Sequence, residues 1–380
     1  MKICMIGPVY PYKGGISHYT GMMARNLKKE HEVITISYKM QYPKILFKRE
    51  QRDYENESFK IEDAQFLINT ANPFNIASVA KKIRKMEPDL VIIQWWHPYF
   101  APCYKILKSK LKKIPTILLC HNVFPHERFP LDRKLTRMVM KKASGYIVHA
   151  SKEAEDLKTI CDNPLYEVTP LPTYNSFKIQ NMTKEEGRKL INIDESRKMI
   201  LFFGFVREYK GLKHIINAMP AIKEKNPDLD LYIVGDFDGD KETYTELIER
   251  LNVQDSIKIV DGYIPDKEVE KYFAASDLVV LPYESATQSA IVQIAYGFSK
   301  PCIVTEVGGL PEVVDDGETG YVIPPFSPEA LAEAVNKYFA ENKQGEFSEN
   351  VDKAAYRFSW DRMNEVVLRL YKRIKEGDQK

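Results

Sequence analysis

Residues 201–211 read LFFGFVREYKG, and this stretch decides the fold. An apolar run enters a glycine turn, and Arg207 and Lys210 follow at the head of an expected helix. A strand that ends in glycine and hands over to a helix is the repeating unit of a parallel α/β sheet. The pair of cations at that hand-over can hold a diphosphate, Arg as a planar fork and Lys as a compact charge. Their spacing of three lets them share a helix face. A second glycine turn, GPVYPYKGGISHY over residues 7–19, follows the apolar run KICMIG. Two such turns in one chain predict two α/β domains facing across a cleft.

The pattern extends outward from both turns. A helix is expected from residue 16 to 29, then a strand in HEVITISY at 31–38. IASVAKKIRKMEPDLVIIQWW (76–96) reads as a helix, a Pro88–Asp89 turn and a strand. IPTILLCHN (114–122), SGYIVHAS (144–151, with Ser151 as the expected helix cap) and LYEVTP (165–170) close the first series. Residues 170–183 read as a linker. KMILFFG, LDLYIVG, SIKIVDG, ASDLVVLP and PCIVTEVGG supply the strands of the second series. The expected domains are 1–175 and 176–350, with a helical segment over 351–380 that contains Trp360 and packs back on the first domain. Ligands of such sheets sit at the carboxyl ends of the strands.

Bulk properties narrow the classes. The 380 residues suffice for two cored domains, and a formal charge of +2 gives no case for nucleic acid as a partner. Five cysteines without framework spacing, four of them in or beside apolar runs, read as buried thiols in a reducing compartment. Met1 to Pro8 reads as a strand rather than a leader, and no run is long enough to span a bilayer, so a cytoplasmic protein is expected.

Polar residues at strand ends are the candidate site. Gly14 and Gly15 precede a helix whose first amides favour an anion, although a tight packing turn gives the same sequence. His121 and Asn122 end a strand, where an imidazole either meets a sugar hydroxyl or packs in a core. His126 and Glu127 follow on a proline-bounded loop suited to an acceptor. His97 beside Trp95 and Trp96 is read as a sugar contact or as core. Glu284, Thr287, Gln288 and Ser289 fall in one strand-end loop, and Glu306 and Glu312 bracket a second glycine turn; each carboxylate is a hydroxyl acceptor or a surface acid. No spacing of His, Cys and carboxylates makes a metal site.

Together GGISHY (14–19), HN (121–122), FFGFVREYKG (202–211), LYIVGD (231–236), ASDLVVLP (275–282) and KPCIVTEVGGLPEVV (300–314) resemble the retaining glycosyltransferases of family four, also called glycosyl transferases group 1. The resemblance covers nearly the whole chain. It implies an α/β architecture of the GT-B fold, two Rossmann-like domains facing across a cleft, with a nucleotide-diphosphate sugar held by the second domain. By the resemblance, Arg207 and Lys210 match the diphosphate-contacting pair. Gly15 matches the loop under the donor phosphates, His121 the histidine that contacts the transferred sugar, and Tyr263 the region against the base. Same-face transfer with retention is implied, with no cofactor and no metal.

The chain departs from the family at the usual pair of glutamates, which are separated by seven residues. Counting from Lys300 puts Ala286 and Ile294 at those positions. Thr287, Gln288 and Ser289 are the expected substitutes, with Glu284 and Glu312 as further acids. The missing pair keeps a noncatalytic sugar-nucleotide-binding protein or partner subunit open, alongside an epimerase on the same fold. The acceptor is expected to be a saccharide or a lipid-linked saccharide of a bacterial surface polysaccharide. KMQYPKILFKREQR (39–52) and LTRMVMKKASG (135–145) combine basic and apolar residues, as a peripheral membrane contact would, or a solvated loop and helix.

Overall fold

The computed structural model describes residues 1–47, 50–54, 57–125, 129–141, 143–237 and 239–377. The chain divides into two compact units, Met1–Pro170 with Ser359–Lys380, and Leu171–Phe358.

The first unit alternates strands with helices: β1 (Lys2–Ile6), α1 (Gly15–Leu27), β2 (Glu32–Met40), β3 (Gln65–Asn69), α2 (Pro73–Lys85), β4 (Leu90–Trp95), α3 (Ala101–Lys110), β5 (Thr116–Cys120), α4 (Asp132–Met140), β6 (Gly145–Val148), α5 (Ser151–Lys158) and β7 (Tyr166–Val168). Its sheet is ordered β3-β2-β1-β4-β5-β6-β7, with every pairing parallel. Helices on both faces bury β4 and β5 along their full length, hence the near-continuous apolar runs LVIIQW and TILLC. Gln94 is a polar residue inside that run and is fully buried.

The second unit holds α6 (Lys184–Leu190), β8 (Lys198–Phe203), α7 (Leu212–Lys225), β9 (Leu229–Gly235), α8 (Lys241–Arg250), β10 (Ile257–Asp261), α9 (Asp266–Ala275), β11 (Leu278–Leu281), α10 (Ala290–Gly297), β12 (Cys302–Thr305), β13 (Gly320–Ile323), α11 (Pro328–Ala340) and α12 (Gln344–Lys353). Its parallel sheet is ordered β10-β9-β8-β11-β12-β13. The entry segment is tied down by Glu270 of α9, whose buried carboxylate accepts the amides of Ile179 (2.9 Å), Gln180 (2.7 Å) and Met182 (2.8 Å). A carboxylate with three amide donors is well compensated for its burial.

The last helix, α13 (Trp360–Lys375), is part of the first unit. Ser359 caps it by accepting the Arg362 amide at 3.0 Å. Met363, Val366, Val367 and Leu370 form its buried stripe, and Gly145 lies against Leu370 and Ile374. Arg369 and Arg373 both donate to Glu167 of β7, at 2.7 and 2.8 Å.

Both sheets reverse their strand order once, between β1 and β4 and between β8 and β11. The ligand crevice of a doubly wound sheet opens at that reversal, beyond the carboxyl ends of the strands. The architecture is therefore two Rossmann-like domains, the components of the GT-B fold. Two strands are absent from the sequence reading, β3 (QFLIN) and β13 (GYVI). Both are short edge strands, and β3 is only partly buried. Ser151 begins α5 instead of capping it; Ala150 occupies the cap position in extended conformation.

Candidate active site

In the second unit the chain leaves β8 through Gly204 and forms a 3-10 turn over Glu208–Lys210 before α7 begins. Arg207 precedes this turn and Lys210 ends it, so the two cations lie on a loop rather than on a helix face as the spacing suggested. Gly211 separates turn from helix with φ +65°, and a β-carbon there would stand 2.0 Å from the Pro282 carbonyl after β11. The loop is thus pressed against the end of β11, the neighbour of β8 at the strand reversal.

That packing buries Lys210. Its side chain is 9% exposed, its Nζ stands 5.9 Å from the Tyr283 ring centroid, and a β-carbon on Gly204 would lie 3.1 Å from Nζ and 3.5 Å from Ile291 in the first turn of α10. Among the described residues no carboxylate pairs with this ammonium. Burial, and then the neighbouring Arg207 charge, push its pKa down to about 8. An ammonium in this state gains by acquiring an anion.

The adjoining loop carries the other predicted residues. Glu284 accepts His214 at 2.8 Å and Lys213 at 2.9 Å through Oε1, and its amide donates to the Tyr209 carbonyl at 2.7 Å. Burial alone would raise its pKa, but the hydrogen bonds from Lys213 and His214 outweigh this and hold it below the usual range. Glu284 therefore fastens α7 to this loop. Ser289 caps α10, accepting the Ile291 amide at 3.2 Å, and lies 3.4 Å from the Tyr283 hydroxyl. Thr287 accepts the Gly309 amide at 2.8 Å, so the loop holding Thr287 and Gln288 rests on the glycine turn after β12. At the positions of the missing glutamates, the Ala286 carbonyl would stand 1.8 Å from a β-carbon on Gly308, and Ile294 is buried in α10. Glu306 is exposed; Glu312 is half-buried and its carbonyl accepts from Arg357. Tyr263, after β10, is 41% exposed.

In the first unit, Gly14 (φ +102°) precedes α1, and a β-carbon on either Gly14 or Gly15 would meet no atom within 4 Å. Among the described residues packing does not require glycine there, while the positive φ of Gly14 favours it; room at the approach to a helix N-terminus suits an anion. His121 follows β5. It is buried, its Nε2 is 2.7 Å from Gln94 Oε1, and its ring centroid stands 4.7 Å from that of Tyr19 with the rings perpendicular. Burial, then the neighbouring His149, hold its pKa well below the ordinary value, so the imidazole is neutral.

His149, following β6, is a residue the sequence reading missed. Its Nδ1 donates to the Thr169 carbonyl at 2.9 Å, and burial pushes its pKa down to about 4. Glu153 of α5, fully buried, accepts the amides of Val123 (3.2 Å) and His149 (3.4 Å) and joins the ends of β5 and β6. Tyr19 also touches Trp360 of α13, with ring centroids 5.1 Å apart. The signal for this cluster was present in the sequence as polar residues ending apolar runs, Gln94 and His149 among them.

His97 and Trp95 resolve toward packing. Trp95 is fully buried with its indole donating to the Val123 carbonyl at 3.3 Å, and His97 Nδ1 accepts the Tyr99 amide at 3.1 Å. Trp96 donates to the Tyr42 hydroxyl at 3.2 Å. His126 and Glu127 lie outside the described residues. All five cysteines are free and buried. Among the described residues no group of three or more His, Cys, Asp or Glu could hold a metal ion.

Two Rossmann-like units in one chain, the second with a buried cation beyond β8 and β11 and the first with a glycine turn and a neutral strand-end histidine, have the architecture of the GT-B fold. The family model for Glycosyl transferases group 1 matches residues 183–358, and that for Glycosyltransferase Family 4 matches residues 13–170. The chain is a GT-B-fold glycosyltransferase related to these two groups. It is 24% identical to Spore coat protein SA of Bacillus subtilis, over 98% of this chain and 100% of that protein. It is 26% identical to the putative teichuronic acid biosynthesis glycosyltransferase TuaC of Bacillus subtilis, over 68% of this chain and 63% of that one. Its fold is similar to that of Anabaena Alr3699/HepE in complex with UDP-glucose, with a TM-score of 0.71, 17% identity and 99% of each chain covered.

Proposed function

We propose that this protein transfers a sugar from a nucleotide-diphosphate sugar to a saccharide or lipid-linked saccharide acceptor, with retention at the anomeric carbon, in surface polysaccharide synthesis. The observation that carries the reading is the Lys210 ammonium, buried next to Arg207 and itself lacking a carboxylate partner among the described residues. A diphosphate supplies the missing charge. As the sugar–phosphate bond breaks, negative charge grows on the departing nucleotide diphosphate, and fixed positive charge in a low-dielectric cradle stabilises that change more than the ground state. Ser289 and the first amides of α10 add donors next to the cradle, with Thr287 and Gln288 on the same loop in place of the family's glutamates. Glu284 acts by holding Lys213 and His214, and Tyr263 offers an exposed ring for the base. In the first unit, Gly14 and Gly15 are assigned to phosphate and His121 to a hydroxyl of the transferred sugar, while Glu312 is a subsidiary hydroxyl acceptor.

In the retaining path the acceptor hydroxyl attacks on the face that the leaving group vacates, and a donor phosphate oxygen takes its proton. This differs from hydrolysis by two side-chain carboxylates. The relative bound to UDP-glucose and the relative named for teichuronic acid synthesis support a nucleotide-sugar donor and a polymer acceptor. A binding screen across UDP-, GDP- and ADP-sugars, followed by NMR of the product's anomeric proton, tests the reading. One selective donor and an anomeric configuration matching that donor are expected. Inversion would remove the same-face path, and a folded protein that binds no donor would favour a noncatalytic partner.

A cytoplasmic protein docking on an anionic membrane suits a lipid-linked acceptor. Ile45 (86% exposed), Leu46 (63%) and Phe47 (41%) form the tip of a turn beside Lys44, with Phe47 stacked on Tyr42 at 5.6 Å. An apolar tip beside a cation matches an anionic lipid surface. No helix among the described residues is long and apolar enough to cross a membrane. Co-sedimentation with phosphatidylglycerol vesicles is expected, at least several-fold above phosphatidylcholine, and to fall in the double variant Ile45→Ser, Leu46→Ser. Equal sedimentation of variant and wild type would remove this contact.

A further inference from the structure

Gln94 is an uncharged polar residue in the fully buried strand β4; its backbone carbonyl accepts the Tyr104 hydroxyl at 3.0 Å, while its side-chain amide bears on one histidine. Its Oε1 lies 2.7 Å from His121 Nε2, while its amide nitrogen faces the Met23 thioether at 3.9 Å. A thioether is a weak acceptor with no hydrogen to give, which suits an amide N–H; the carbonyl oxygen is left facing the imidazole. An amide oxygen carries no proton, so the hydrogen of this bond resides on His121 Nε2. Room for the glutamine is built in: a β-carbon on Gly7, just beyond β1, would stand 2.5 Å from Gln94 Cγ. The Tyr19 ring, perpendicular to the imidazole at 4.7 Å between centroids, packs against it as well.

We propose that Gln94 is a positioning residue that fixes His121 as the Nε2–H tautomer, leaving Nδ1 as a hydrogen-bond acceptor. The tautomer of a histidine is set by the bond its other nitrogen makes. His121 would then accept a hydrogen bond from a sugar hydroxyl through Nδ1 instead of donating one to it. His149 on the next strand end is held in one tautomer by Thr169, and Glu153 faces the same loops through the Val123 and His149 amides. These neighbours leave the imidazole neutral and uncharged toward the sugar. The consequence for transfer rests on the role assigned to His121 above; the tautomer itself does not.

The test is long-range 1H–15N correlation of 15N-histidine-labelled full-length protein, with the His121 signals assigned by their loss in His121→Asn. Wild type should show Nε2–H at His121, unchanged between pH 6 and 8. Gln94→Met should give a mixture or the Nδ1–H form and reduce turnover of whichever of UDP-, GDP- or ADP-glucose binds in the screen, by roughly tenfold or more. Gln94→Glu, which keeps an acceptor and adds charge, should keep the proton on Nε2 and shift the ring toward the imidazolium at neutral pH. That response distinguishes a bond to His121 from simple filling of space. An Nδ1–H wild type, or a tautomer unmoved by Gln94→Met, would overturn the proposal. A shifted tautomer with unchanged turnover would uphold Gln94 as the positioning residue and remove His121 from the transfer. Should Gln94→Met fail to fold, the wild-type tautomer and the Gln94→Glu spectrum still decide.

Discussion

Lys210 shows at the scale of one residue how the proposed donor role would oppose stability. Its folded pKa of about 8 lies below the ordinary value near 10.5, so between those values the unfolded chain binds more protons and folding strengthens as pH rises. Below pH 8 the protonated side chain weakens the fold by about 3 kcal/mol. Lys210→Met, which keeps the stem and removes the charge, should therefore raise the midpoint of thermal unfolding at pH 7 while lowering donor affinity by two orders of magnitude. A variant that loses both would show that the ammonium supports the fold. If Lys210 holds the donor as proposed, the same group sets a pH dependence for binding. The diphosphate favours protonated Lys210, so donor affinity should hold from pH 6 to 7.5 and weaken above about 8 as the free protein loses that proton. Isothermal titration across that range measures it, and flat affinity to pH 9.5 would remove Lys210 from the donor site.

At the scale of elements, the junction between β8 and α7 concentrates the strain. Gly211 combines a positive φ with the Pro282 carbonyl at contact, and Glu284 draws Lys213 and His214 onto the loop after β11. Gly211→Ala incurs both the left-handed backbone and the clash, so a loss of at least about 2 kcal/mol in urea unfolding is expected, with donor affinity reduced through displaced Lys210. An unchanged midpoint would show that the loop relaxes freely. The elements themselves were largely legible: buried parallel strands read as unbroken apolar runs, and glycine marked where they end. β3 and β13 escaped because an edge strand is paired on one side only and needs fewer apolar residues. Arg207 and Lys210 were singled out by residue type, yet their placement before and at the end of a 3-10 turn was not foreseen, since Gly211 fits a helix start and a left-handed break equally well.

For the whole molecule, α13 completes the unit in which the chain begins. Its stripe of Met363, Val366, Val367 and Leu370 is buried, and at about 2 kcal/mol for each such side chain its loss approaches the entire stability of a domain. Truncation after Phe358 should leave the first unit open to trypsin, while a protected fragment beginning near Leu171 persists. A protected first unit in the truncated protein would show that α13 is dispensable.

Local rules were enough to establish from the sequence two α/β units, the strand ends that hold the candidate site residues, and the position of the cation pair after β8. Periodicity and glycine act over a few residues and are written in order along the chain. Tertiary structure alone decided that Gln94 meets His121, that Gly7 makes room for it, that Trp360 reaches Tyr19, and that Lys210 is buried against Tyr283 without a carboxylate among the described residues. Each of these joins side chains that local pattern does not pair, and their burial and charge state arise only when the sheets and helices close around them.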